Sequence, residues 1–160
     1  MKVMYIGHSR NLYNLNMYVR KHGQELKTAV GDSFSLSDIK EDIMSFEPEI
    51  IFADILAFTE TEEELCEILG TVKIALNCRI AVIAAGRSME NKMIRSFAAA
   101  GFKYFVLSES LGKQMKEIED IFAGQQTITD EAAEEIATAR EEKVQRVFSE
   151  VPESRAAAAV

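Results

Sequence analysis

The 160 residues, 48% of them hydrophobic, can bury one substantial core but not two full domains, and a net charge of -8 opposes sequence-independent binding to DNA or to anionic membranes, which needs a positive field. No apolar run approaches the roughly 20 residues that cross a bilayer, and no stretch has the charged-then-apolar pattern of a signal peptide, so a cytoplasmic protein is expected. Cys66 and Cys78 have no His pair near them and are expected to be reduced, partly buried thiols rather than metal ligands.

Lys2 to Ile6 opens the chain as a short apolar strand, Val3-Met4-Tyr5-Ile6, that ends in the polar turn Gly7-His8-Ser9-Arg10. Leu12, Leu15, Met17 and Val19 then recur at helical spacing. His22-Gly23 supplies the stop, since glycine takes the left-handed conformation that closes a helix at no steric cost. Lys27 to Val30 reads as a second strand. Ser35 with Asp38 marks a helix start, and Leu36, Ile39, Ile43 and Phe46 carry an apolar face as far as Pro48. The next run, Ile50-Ile51-Phe52-Ala53-Asp54, is apolar until its last residue. It fits a strand buried on both faces that lifts one carboxylate to the sheet's carboxyl edge, where open α/β sheets bind ligands. Asp54 is therefore the first candidate functional residue.

Thr61 and Glu64 form a capping box ahead of a helix carrying Leu65, Ile68, Leu69, Val72 and Leu76, which Asn77-Cys78 ends. Arg79 to Ala85 reads as the fourth strand. Gly86-Arg87-Ser88 then turns into a helix with Met89, Met93, Phe97 and Ala100 on one face, closed by Gly101. Lys103 to Leu107 is the fifth strand, and Ser108-Glu109-Ser110 leads into a helix of Leu111, Met115, Ile118, Ile121 and Phe122 that Gly124 stops. Strict strand-helix alternation implies a parallel sheet with helices on both faces. From Gln125 the composition shifts to Glu, Ala and Arg. Over residues 129 to 151 a narrow apolar stripe, interrupted at Arg140, suits a two-helix seam or a docking face. The expected organisation is a domain over residues 1–124 and a helical tail over 125–160.

The alternation, the Pro48-Glu49-Ile50-Ile51-Phe52-Ala53-Asp54 pattern and the run from Gly101 to Leu107 resemble the receiver domain of bacterial two-component response regulators, over about residues 1–124. The resemblance implies a flavodoxin-like (βα)5 sandwich with strand order 2-1-3-4-5. It places Asp54 at the phospho-acceptor position and Phe105 at the switch aromatic. The acidic pair that holds Mg²⁺ in a working receiver falls on Gly7 and His8, the hydroxyl after strand four on Ala85, with Ser88 three residues on, the lysine after strand five on Ser108, and the following proline on Glu109. A hard cation has little to hold it with one carboxylate, so Mg²⁺ binding is not expected, and a serine cannot do a lysine's work on a phosphoryl group. The pattern is similar to the pseudo-receivers, including the receiver-like N-terminal domains of pilus-assembly localisation ATPases of the ParA/MinD class, in which a helical linker leads to an ATPase domain; here that domain would have to lie beyond Val160.

The leading expectation is a phosphorylation-independent, non-enzymatic module that contacts a protein partner, a fused domain or a second copy of itself. By the resemblance, Phe97, Phe102, Tyr104, Lys113 and Met115 mark the contact face. Asp54 is expected to pair with His8 or Arg87. The alternatives are a true phospho-receiver using Asp54 and, third, a flavodoxin-like cofactor carrier in which Gly7-His8-Ser9-Arg10-Asn11 cradles a phosphate. His22 is expected only to favour a helix end, and Glu60 to Glu64 to form a solvated first turn.

Overall fold

The computed structural model describes residues 1–128 together with 135, 136 and 138. Five parallel strands, β1 (Lys2–Gly7), β2 (Glu25–Val30), β3 (Ile50–Asp54), β4 (Arg79–Ile83) and β5 (Tyr104–Val106), form one sheet in the order 2-1-3-4-5. Each strand is followed by a helix: α1 (Tyr13–His22), α2 (Leu36–Phe46), α3 (Glu62–Leu76), α4 (Lys92–Ala99) and α5 (Leu111–Phe122).

The unbroken apolar run of β3 has the expected cause. Ile50 and Phe52 face a layer built by Leu15 and Val19 of α1 with Ile118 and Ile121 of α5. Ile51 and Ala53 face the opposite layer, where α2, α3 and α4 contribute Ile43, Leu65, Leu69, Val72, Ile94 and Phe97. With a helix layer on each side, no position in the strand can be polar without being buried. Asp54 is that exception, and the two-residue period puts it on the face of Phe52, toward α1.

Helix ends follow the local chemistry. Gly23 closes α1 in the left-handed region, at φ 64°. Thr61 and Glu64 make the capping box reciprocally at the start of α3. Two boundaries differ from expectation. The Ser35 side chain makes no cap bond at the start of α2; instead the Glu60 carboxylate takes the Leu36 N–H, at 2.6 and 2.7 Å. Glu60 therefore does not belong to a solvated first turn, and α3 begins at Glu62. The α4 helix starts later than Met89, because Asn91 is its cap and accepts from the Met93 and Ile94 N–H groups. Strand β4 is shorter than Arg79 to Ala85, since the Ala84 carbonyl turns to accept the Arg87 N–H.

Past α5 the chain returns to the open edge of β5. The Thr127 and Ile128 N–H groups donate to the Lys103 carbonyl at 2.9 and 3.1 Å. The Thr127 hydroxyl accepts from the Phe105 N–H at 3.0 Å and donates to the Phe105 carbonyl at 3.3 Å. An edge strand presents unpaired backbone groups, and this segment pairs some of them. Ile128 is buried in the core and Ile136 packs against it. Most of the expected terminal helix, including Arg140, lies outside the described residues. No helix among the described residues is long and apolar enough to cross a membrane.

Candidate functional site

The carboxyl edge of β1 and β3 gathers the residues that sequence reasoning singled out. Asp54 is fully buried. Its Oδ2 accepts from Asn11 Nδ2 at 2.9 Å and from the His8 backbone N–H at 3.4 Å, and its Oδ1 accepts from the Leu56 N–H at 3.3 Å. The carboxylate therefore stitches together two one-turn 3₁₀ helices absent from the sequence reading, Ser9–Asn11 after β1 and Ile55–Ala57 after β3, and caps the second.

The β1 loop is tied down from below as well. The Tyr5 hydroxyl donates to the His8 carbonyl. Burial, reinforced by the nearby Asp54 carboxylate and partly offset by Arg10, pushes the Tyr5 phenol well above its ordinary value, so it stays a neutral donor. Gly7 lies directly over Asp54. A Cβ on Gly7 would overlap the Asp54 Cβ and come within 3.0 Å of the Tyr5 hydroxyl oxygen, so the close approach of the two strand ends requires glycine there.

Several expected pairings are not formed. The His8 ring turns away from Asp54, and its Nδ1 lies 3.9 Å from the exposed Asp32 carboxylate; only the backbone N–H of His8 reaches Asp54. Arg87 lines a separate hollow of about 320 Å³ between Leu56, Glu62 and the start of α4 and does not pair with Asp54. The partner that replaces both is Asn11, named in the sequence only as part of a loop. A neutral amide fills the role better than a cation, because burying an ion pair costs desolvation of both partners.

The other positions have local duties. Ser9 accepts the Leu12 N–H through its carbonyl. Ser88 is exposed and its hydroxyl accepts the Glu90 N–H. Ala85 is half-buried, and Glu109 is exposed beside Gly86. The Ser108 and Leu107 N–H groups both donate to Glu117 of α5, each at 3.0 Å, which fixes the loop after β5 without a cation. Phe105 is fully buried among the α2–α4 side chains, pointing inward.

The proposed contact face divides. Phe97 and Phe102 are core residues, 0% and 2% exposed, and their rings meet edge-on at 5.2 Å. Exposing either would forfeit about 2 kcal/mol of burial, so neither presents a surface. Tyr104 is half-buried beneath the Arg79 guanidinium, 5.1 Å from its ring. Met115 is half-buried, and Lys113 is exposed. His22 ends α1 as expected, with its ring 4.1 Å from Tyr18, which stacks in turn on Phe122.

The donor set around Asp54 does not fit the Mg²⁺ of a receiver site. The groups that reach the carboxylate are N–H donors, which present positive hydrogens where a cation would need oxygen. The described residues contain no group of three or more His, Cys, Asp or Glu placed to hold a metal. In the β1 loop the N–H groups of His8, Asn11 and Leu12 are likewise engaged within the protein.

No protein-family model matches the sequence, and no curated protein does. Solved structures do. The chemotaxis response regulator CheY4 of Vibrio cholerae superposes with a TM-score of 0.56 at 14% identity, covering 75% of this chain and 97% of its own. The signal receiver domain of a modulated diguanylate cyclase from Desulfovibrio desulfuricans gives 0.55 at 14%, covering 78% and 94%. A two-component response regulator of the LuxR family from an Aurantimonas species gives 0.58 at 17%, covering 87% and 96%. Together with the 2-1-3-4-5 sheet, these likenesses show that the chain has the fold of response-regulator receiver domains.

Proposed function

We propose that this chain is a pseudo-receiver: a regulatory module of receiver fold that acts through protein contact, with a partner or with a second copy of itself, and without phosphorylation of Asp54. The observation that carries the reading is the condition of Asp54. A phospho-acceptor has to be reached in line by its donor and has to be flanked by groups that take up the charge developing on the phosphoryl oxygens. Asp54 has no exposed surface, its oxygens are occupied by Asn11 and by two backbone N–H groups, and Gly7, His8 and Ser108 stand where those flanking charges would be.

The test is incubation of the full chain with Mg²⁺ and acetyl phosphate, read by intact mass, together with light scattering before and after. The reading expects no phosphoryl adduct and an association state that the treatment leaves unchanged. An adduct that Asp54→Asn abolishes would overturn it in favour of an active receiver.

A further inference from the structure

At the carboxyl edge of the sheet, where open α/β sheets bind ligands, a hollow of about 320 Å³ lies between the Ile55–Ala57 turn, the loop after β4 and the start of α4. Ile55 and Ala84 line it from the buried side. The apolar surface open to a ligand comes from Leu56, 37% exposed, and from half-buried Met93. Two exposed cations, Arg87 and Lys92, also line it, against one carboxylate, Glu62, among the described residues. That balance reverses the chain's own, in which 26 acids face 18 Lys and Arg.

We propose that this hollow binds a small organic monocarboxylate, with its carboxylate between Arg87 and Lys92 and its apolar body over Leu56 and Met93.

Both cations are available. Lys73 and Arg79 are committed to the Gly101 and Ile121 carbonyls, and Arg95 pairs with Glu90. Neither Arg87 nor Lys92 has a side-chain ion pair, hydrogen bond or ring contact among the described residues, and Glu62 pairs with neither. Two cations against one acid leave a single positive charge, which matches one carboxylate. A guanidinium offers a planar fork that holds a carboxylate by two bonds, and an ammonium adds a further donor. Asn91 uses its side-chain oxygen to cap the Met93 and Ile94 N–H groups, which leaves its NH2 as a neutral donor on the same wall. A tight turn sets the position of Arg87: Gly86 takes φ 83°, and the Arg87 N–H donates to the Ala84 carbonyl at 3.1 Å. Solubility explains a lone exposed cation, but not two beside a hollow with Leu56 and Met93 open on its wall. The Leu56 N–H also donates to Asp54 Oδ1 at 3.3 Å. A ligand over Leu56 therefore bears on the turn that Asp54 caps, giving the module an input other than phosphorylation.

The experiment is a titration of the ¹⁵N-labelled full chain with sodium benzoate at constant ionic strength, in parallel with acetate and benzyl alcohol. The expected result is saturable amide shifts at Leu56, Arg87, Lys92 and Met93, with benzoate bound at least about tenfold tighter than either fragment. Arg87→Gln and Lys92→Gln alter exposed side chains outside the core, so both variants should fold. Each should weaken benzoate about tenfold, as loss of a charged hydrogen bond does. Silence up to about 10 mM, an equal response to acetate or to benzyl alcohol, shifts centred on Lys73 and Lys103, or unchanged binding by both variants would each overturn the proposal. Benzoate has no phosphoryl group to give, so its failure to bind is distinct from the appearance of a phosphoryl adduct on Asp54.

Discussion

Replacing Asp54 separates a structural carboxylate from one retained for chemistry. In Asp54→Ala, three N–H groups lose their acceptor: Asn11 Nδ2 at 2.9 Å, and the His8 and Leu56 backbone groups at 3.4 and 3.3 Å. The first is a well-formed bond to a charged acceptor, worth roughly 1.5–3 kcal/mol, and the two longer ones contribute about 0.5 kcal/mol each. Loss of the buried carboxyl atoms also leaves a small void, so the total comes to about 3 kcal/mol. Asp54→Asn keeps the shape and one carbonyl acceptor, and the Asn11 amide can flip to pair with it, which limits the loss to about 1 kcal/mol. With a urea slope of about 2 kcal/mol/M, the denaturation midpoint should fall by roughly 1.5 M in the alanine variant and roughly 0.5 M in the asparagine variant. Active-site carboxylates are commonly held at a cost to stability, and replacing them then stabilises the protein. A midpoint that rises in either variant would refute the assignment of Asp54 as a structural cap.

Gly7→Ala should destabilise by about 3 kcal/mol or abolish folding, because its Cβ would overlap that of Asp54; thermal melting checks this, and a change under about 0.5 kcal/mol would contradict the close approach. Ile128→Ala should cost about 2–4 kcal/mol by urea denaturation, since Ile128 is only 5% exposed within the core, and a neutral result would detach the segment after α5 from the fold. Stability should fall at alkaline pH. Cys78 and Tyr5 both ionise less readily when folded than when unfolded, so their contribution is complete below their ordinary values of 9.0 and 10.0 and is lost as the pH rises past them, for Cys78 between 9.0 and about 11. Melting curves taken across that range should show the midpoint dropping, with a shallower drop in Cys78→Ala; a flat profile would count against both burials.

The sheet was legible because its signals are local and redundant. Apolar runs bounded by Pro48, Gly23 and the Thr61–Glu64 capping box mark strands and helix ends through the chemistry of a few neighbouring residues, and alternation then sets the topology. What escaped depends on residues far apart in sequence. Glu60 caps α2 from across the β3–α3 loop, and Ser35 gave a plausible local substitute that hid it. Asn91 outcompeted the earlier apolar Met89 as the start of α4 because its side chain accepts two N–H groups. At the site, Asp54 was visible as a carboxylate closing an apolar strand, whereas its partner Asn11 was not, since a polar residue in a loop has no periodicity to point with. Opposite charge suggested His8 and Arg87. Desolvation favoured an amide instead. Phe97 and Phe102 were assigned to a contact face by the receiver resemblance alone, whereas Phe97 lies on the apolar face of α4 and Phe102, in the turn before β5, packs edge-on against it in the core.

On the proposed reading, the β1 loop accounts for a buried aspartate at the end of β3 that has no charged partner beside it. Two acidic side chains at positions 7 and 8 would keep the end of β1 away from Asp54 by repulsion and by bulk. With glycine at position 7, the strand end closes down until only hydrogen separates it from the Asp54 side chain, and with histidine at position 8 the ring swings out to Asp32 while the backbone N–H turns in. Closure buries Asp54, and a buried carboxylate needs donors close by. The Ser9–Asn11 turn brings Asn11 to within 2.9 Å, and Tyr5 holds the loop in that position through the His8 carbonyl. Each feature favours the next: glycine at position 7 permits closure, closure buries the carboxylate, and the Asn11 amide satisfies it. On the proposed reading Asp54 is held for the loops it joins, and its presence alone is no sign of phosphotransfer.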